Sequence, residues 1–144
     1  MNILWVSPFL PSPDAAHAAG RALARWIEWT AQRHAVTLLC RIEPAERAQA
    51  ESWSARLAGL HVQEFARPAG SLAIARIATS YARLGRAANR LLAVGGFDLV
   101  HVDYLESGLA LDAALPVPKL AVAIDELARP ASHRLRLARG ARAR

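Results

Sequence analysis

Residues 2–8 read Asn2-Ile3-Leu4-Trp5-Val6-Ser7-Pro8, and Pro11, Pro13 and then Gly20-Arg21 follow. A short apolar run closed by proline reads as a strand buried on both faces, the kind found in parallel sheets. Proline has no N–H and a fixed φ, so residues 8–19 cannot continue a ladder or a helix and are expected to form an exposed loop. From Gly20 to residue 34 the spacing is helical, with Leu23, Trp26, Ile27 and Thr30 on one face. Strand, loop and helix start, in that order, mark the carboxyl edge of an open α/β sheet, where ligands bind. Residues 8–21 are therefore expected to border a site.

The pattern repeats. Residues 34–40 form a β-branched, apolar second strand, and Pro44 suits the first turn of a helix running to about Leu60. Residues 61–65 alternate polar and apolar like an edge strand. Ser71 is placed to cap a long helix over 71–94, with Ile74, Ile77, Tyr81, Leu84, Ala88 and Leu91 as its apolar stripe and Gly95-Gly96 as its end. Residues 97–103 form a further strand, 105–114 a short helix, and 119–124 a last apolar strand. Strands alternating with helices predict the α/β class: a Rossmann-like parallel sheet of about five strands with helices on both faces.

Composition narrows the function. The 144 residues are 53% hydrophobic and 6% aromatic, enough for one core. No window reaches the ~18 uninterrupted apolar residues of a membrane span. The N-terminus lacks a basic region, and its prolines interrupt any signal-peptide core, so a cytoplasmic location is expected. Cys40 is the only cysteine, which excludes an internal disulfide and offers no zinc spacing. Residues 1–128 balance 12 Lys+Arg against 12 Asp+Glu, so the net charge of +6 lies wholly in six arginines of residues 129–144. A nucleic-acid reader would carry its basic face on the folded body. No nucleic-acid partner is expected.

Three strand ends supply candidate ligand-binding groups. After the first strand come Pro8, His17, Gly20 and Arg21, where the helix start could offer free backbone N–H groups to a polar ligand; Gly20 could equally be no more than a tight helix entry. The fourth strand delivers His101, Asp103, Tyr104 and Glu106. His101 and Asp103 share one side of the sheet by alternation. His101 reads first as a satisfied core histidine, and Asp103 could either meet substrate or cap the next helix. The fifth strand ends in Asp125-Glu126, placed to meet substrate hydroxyls or to cap a helix. The dinucleotide fingerprint, the Walker sequence, the Gly-x-Ser-x-Gly elbow and metal-ligand spacing are all absent.

In the order and spacing of residues 2–11, Gly20-Arg21, residues 34–39, residues 97–103 and the strand ending in Asp125-Glu126, the chain resembles the acceptor-side, N-terminal domain of family-4-like glycosyltransferases of the GT-B fold. The resemblance implies metal-independent, retaining transfer of a sugar from a nucleotide-sugar to a glycan, lipid-linked or small-molecule acceptor, with no bound cofactor. It places Asp125 beside the reacting sugar as the catalytic residue. The family's loop after the first strand would fall on residues 17–21, and with the strand-end reading substrate contacts are expected at Pro8, His17, Gly20, Arg21, Asp103, Tyr104, Glu106 and Glu126. Residues 1–128 would be the acceptor-binding domain. Residues 129–144 would be a basic tail leading to a donor-binding domain beyond Arg144, without which the chain is expected not to turn over. That tail also suits peripheral contact with the anionic inner face of a membrane. The alternative is a non-catalytic Rossmann-like binding or interaction module, which a reading frame continuing into a donor domain would argue against.

Overall fold

The computed structural model describes residues 1–66, 70 and 73–123. In chain order the elements are β1 (Asn2–Ser7), α1 (Ala18–Ala31), β2 (Ala35–Ile42), a 3-10 turn (Pro44–Glu46), α2 (Arg47–Glu51), β3 (Gly59–Glu64), α3 (Ala73–Val94), β4 (Leu99–Asp103), α4 (Leu105–Gly108) and β5 (Lys119–Val122). The strands form one sheet in the order β3-β2-β1-β4-β5, and every pairing is parallel. The chain runs outward from β1 in one direction to β3, then returns past it to β4 and β5. That reversal puts a topological switch point between β1 and β4.

Alternation along the strands builds two cores. Ile3 and Trp5 of β1 join Val36, Leu38, Cys40 and Ile42 of β2 against Ala24 and Ile27 of α1 and Trp53. Leu4, Val6, Leu39, Val100 and Val102 face the other way, onto Leu84, Ala88 and Leu92 of α3. Helices thus cover both faces, as expected from the alternating pattern.

Several local expectations are corrected. Trp26 lies on the flank of α1, half exposed, because the buried face runs through Gly20, Leu23, Ala24 and Ile27. The helix expected from Pro44 to Leu60 breaks after Glu51. The hydroxyls of Ser52 and Ser54 donate to the carbonyls of Gln49 and Glu51, competing for the bonds a helix would use. Trp53 turns inward, its Nε1–H donating to Pro11 O at 2.9 Å. That contact also buries part of the proline loop, where Leu10, Pro11 and Ser12 are covered rather than exposed. The apolar stripe of α3 packs only from Ser80 onward, leaving Ile74 and Ile77 at the surface. The expected cap Ser71 lies outside the described residues.

Candidate functional site

Over the carboxyl ends of β1 and β2 lies a crevice of about 630 Å³, walled by the loop after β1, by Phe65 after β3, and by α3. Its floor is organised by Arg41, the penultimate residue of β2, whose side chain leaves the sheet on the α3 side. The Arg41 Nε–H donates to Pro8 O at 2.7 Å, and its Nη1 donates to the Ser80 hydroxyl, which itself donates to Ile77 O at 2.6 Å. The guanidinium lies 4.3 Å from the Tyr81 ring centroid and 4.8 Å from that of Phe65. Stacking and hydrogen bonds together fix a cation between two aromatic walls. Glu43, Glu46 and Gln49 also line the crevice, the Gln49 amide donating to Ser12 Oγ at 2.7 Å and Glu46 Oε2 accepting the Glu43 N–H at 2.7 Å.

The loop holding Phe9 and His17 is fixed from within. His17 caps α1, its Nδ1 accepting the Gly20 N–H at 3.0 Å, while its ring meets Phe9 edge-on at 4.6 Å. Phe9 also meets Tyr104 edge-on at 5.6 Å. Tyr104 adopts φ 62°, a strained conformation for a non-glycine residue, where the chain turns from β4 into α4 beside the switch point. At the end of β1, the buried Ser7 hydroxyl has no hydrogen-bond partner among the described residues.

The architecture is therefore established. The fold is Rossmann-like. No family model and no curated protein matches the chain. It is similar to the C-terminal domain of a hydrogenase from Pyrococcus furiosus, at 16% identity over 84% of this chain and 90% of that one, with a TM-score of 0.58. At that identity the likeness speaks for the Rossmann-like fold alone.

The residues expected at the site divide. Pro8 and His17 line the crevice. Gly20 does not offer a free N–H, because His17 takes it. Its lack of a side chain serves packing instead: a Cβ there would stand 2.6 Å from Ala15 Cβ and 2.9 Å from His17 Cε1. Arg21 donates to Ala15 O at 2.6 Å and so ties down the loop from outside. Asp103 is fully buried. Its Oδ2 accepts the Trp5 Nε1–H at 2.7 Å and its Oδ1 pairs with His101 Nε2 at 3.2 Å, so it neither faces the crevice nor caps α4. Tyr104 borders the crevice through Phe9. Glu106 lies in the wall of a separate, mainly apolar groove of about 510 Å³ between α3 and α4, which shares Ile77 and Tyr81 with the crevice. Asp125 and Glu126 lie outside the described residues, as does the arginine tail.

Sequence reasoning missed Arg41, Phe65 and Gln49. Arg41 sits one residue after an apolar run, a place that gives no signal until the strand direction is known. Among the described residues no group of three His, Cys, Asp or Glu could hold a metal ion, and no helix is long and apolar enough to cross a membrane. The Cys40 thiol, beneath the crevice, is pushed up to about 12 by burial and then by the negative charge of Glu46. It stays a protonated, inert part of the core.

Proposed function

We propose that the crevice binds a sugar acceptor and that the chain is the acceptor-side domain of a glycosyltransferase, the nucleotide-sugar being held by a separate donor domain. One observation carries this reading: aromatic rings and hydrogen-bonding side chains alternate around a single crevice of sugar-accommodating size. A pyranose presents an apolar C–H face and a rim of hydroxyls. Phe9, Phe65 and Tyr81 suit the face; His17, Arg41, Glu43 and Gln49 suit the rim. The crevice lies at the carboxyl edge of the parallel strands, the usual ligand position in this class of sheet.

In this reading the described residues bind and orient the acceptor. Asp125 follows β5 in sequence and is the carboxylate assigned to the reacting sugar. Catalysis needs groups aimed at the transition state from both reactants' sides, so this chain alone binds acceptor without transferring sugar. The arginines of residues 129–144 add attraction to anionic lipid, about 1 kcal/mol for each one near the surface.

Calorimetric titration against a panel of mono- and oligosaccharides tests the reading. Saturable binding of at least one sugar, lost in Arg41→Met and Tyr81→Ala, is expected. Failure of the whole panel to bind, with the chain folded, would favour the non-catalytic interaction module.

A further inference from the structure

On the opposite face of the sheet, a cavity of about 400 Å³ lies between β1, β4 and the flank of α1 that carries Trp26 and Trp29. Its walls are aromatic and aliphatic, with Trp5, Trp26, Trp29 and Leu99 prominent, and two imidazoles, His34 and His101, interrupt them. Trp26 and Trp29 are 48% and 60% exposed, one turn apart on α1. Neighbouring tryptophans left at a surface point to a binding face more than scattered apolar residues do.

The second observation concerns His101. Only 9% of it is exposed, and its ring is fixed on two sides. Trp5 stacks on it at 3.8 Å with an interplanar angle of 14°, while Asp103 Oδ1 holds Nε2. The carboxylate keeps the proton on Nε2, so in the neutral ring Nδ1 is the lone-pair nitrogen. Nδ1 makes no hydrogen bond among the described residues. The Nδ1 of His34, in the same wall, is shielded from water and also unpartnered. His34 Nδ1 is sealed off from the cavity, whereas His101 Nδ1 is not among the shielded atoms and stays within reach of a donor there. A rigid acceptor at the floor of an aromatic cavity suits a flat apolar molecule that carries one donor.

We propose that this cavity binds a small planar aromatic molecule bearing a single N–H or O–H donor, its rings against Trp26 and Trp29 and its donor on His101 Nδ1. The site shares no residue with the sugar crevice and does not depend on that reading.

Indole and 1-methylindole, alike in shape but differing in the N–H, are the probes. The full 144-residue chain is titrated with each at pH 8 while the tryptophan indole N–H resonances are followed by NMR. Both probes are expected to shift Trp5, Trp26 and Trp29 and to leave Trp53, buried elsewhere, unmoved. Indole should bind about five- to tenfold more tightly, the worth of one hydrogen bond. Trp29→Ala alters an exposed position and should weaken both probes with the fold intact, whereas His101→Phe should abolish the difference between them. Equal affinities for the two probes in the parent chain would overturn the proposal, as would no shift at Trp26 and Trp29. Trp26 and Trp29 resonances that move on dilution of the free chain would assign the face to a second copy and overturn it too.

Discussion

Asp103 couples the two strands at the switch point, and its replacement gives the sharpest test of how that core is built. The side chain is fully buried and each carboxylate oxygen has one partner, Trp5 Nε1 on β1 and His101 Nε2 on its own strand. Asp103→Ala would leave two buried donors unpaired, at about 1–3 kcal/mol each, giving a loss of about 2–6 kcal/mol. That is a large share of the 5–15 kcal/mol typical of a domain. Asp103→Asn keeps one acceptor but turns an amide N–H toward the other donor, so about 1–3 kcal/mol is expected. Urea unfolding followed by circular dichroism gives both values. A double-mutant cycle with Trp5→Phe should show a coupling of about 1–2 kcal/mol, because the two side chains share one bond. A loss below about 1 kcal/mol for Asp103→Ala, or strict additivity with Trp5→Phe, would refute the reasoning.

Gly20→Ala places a methyl 2.6 Å from Ala15 Cβ, an atom that cannot rotate away, so the loop over the crevice must shift; about 1–3 kcal/mol of stability should be lost, with Phe9 and His17 resonances displaced. Gly85→Ala gains about 1 kcal/mol of helix propensity but brings Cβ within 2.6 Å of Ala110 Cβ, so urea unfolding should show a net loss of up to about 2 kcal/mol. The Cys40 thiol is raised from about 9 to about 12, so the folded state holds that proton after the unfolded state releases it. Its contribution is intact below pH 9 and is lost as pH rises from 9 toward 12. Over that window the parent chain should lose stability relative to Cys40→Ala by up to about 1.4 kcal/mol per pH unit. Native Cys40 should also resist thiol reagents at pH 8, whereas equal labelling of folded and unfolded chain would contradict its burial.

Much of the fold was legible because parallel strands announce themselves. Residues 2–7, 35–42 and 99–103 are short apolar runs with turn residues beyond them, and the helices between fix the class. Legibility failed where tertiary contacts overrode local pattern. Nothing local says that Trp53 will reach Pro11, or that Ser52 and Ser54 will cap carbonyls and stop a helix at Glu51. Trp26 fits the helical period, yet the face that packs on the sheet runs through Leu23, Ala24 and Ile27 and leaves Trp26 on its flank. At the site, Pro8 and His17 were readable from their place after β1. The bond between Asp103 and Trp5 spans 98 residues and exists only once β1 and β4 are in register. Arg41 carried no motif. Its role comes from Tyr81 and Ser80, brought over β2 by a helix that starts some thirty residues later.

The most direct test of the central claim maps sugar binding onto the chain, by ¹H–¹⁵N and aromatic NMR during titration with the best ligand of the saccharide panel. The account predicts shifts centred on Phe9, His17, Phe65 and Tyr81 and on the Arg41 Nε–H, vanishing in Arg41→Met while the core resonances of Val6 and Val102 stay in place. Shifts that avoid the crevice and gather at Trp26 and Trp29, or that persist unchanged in Arg41→Met, would contradict it.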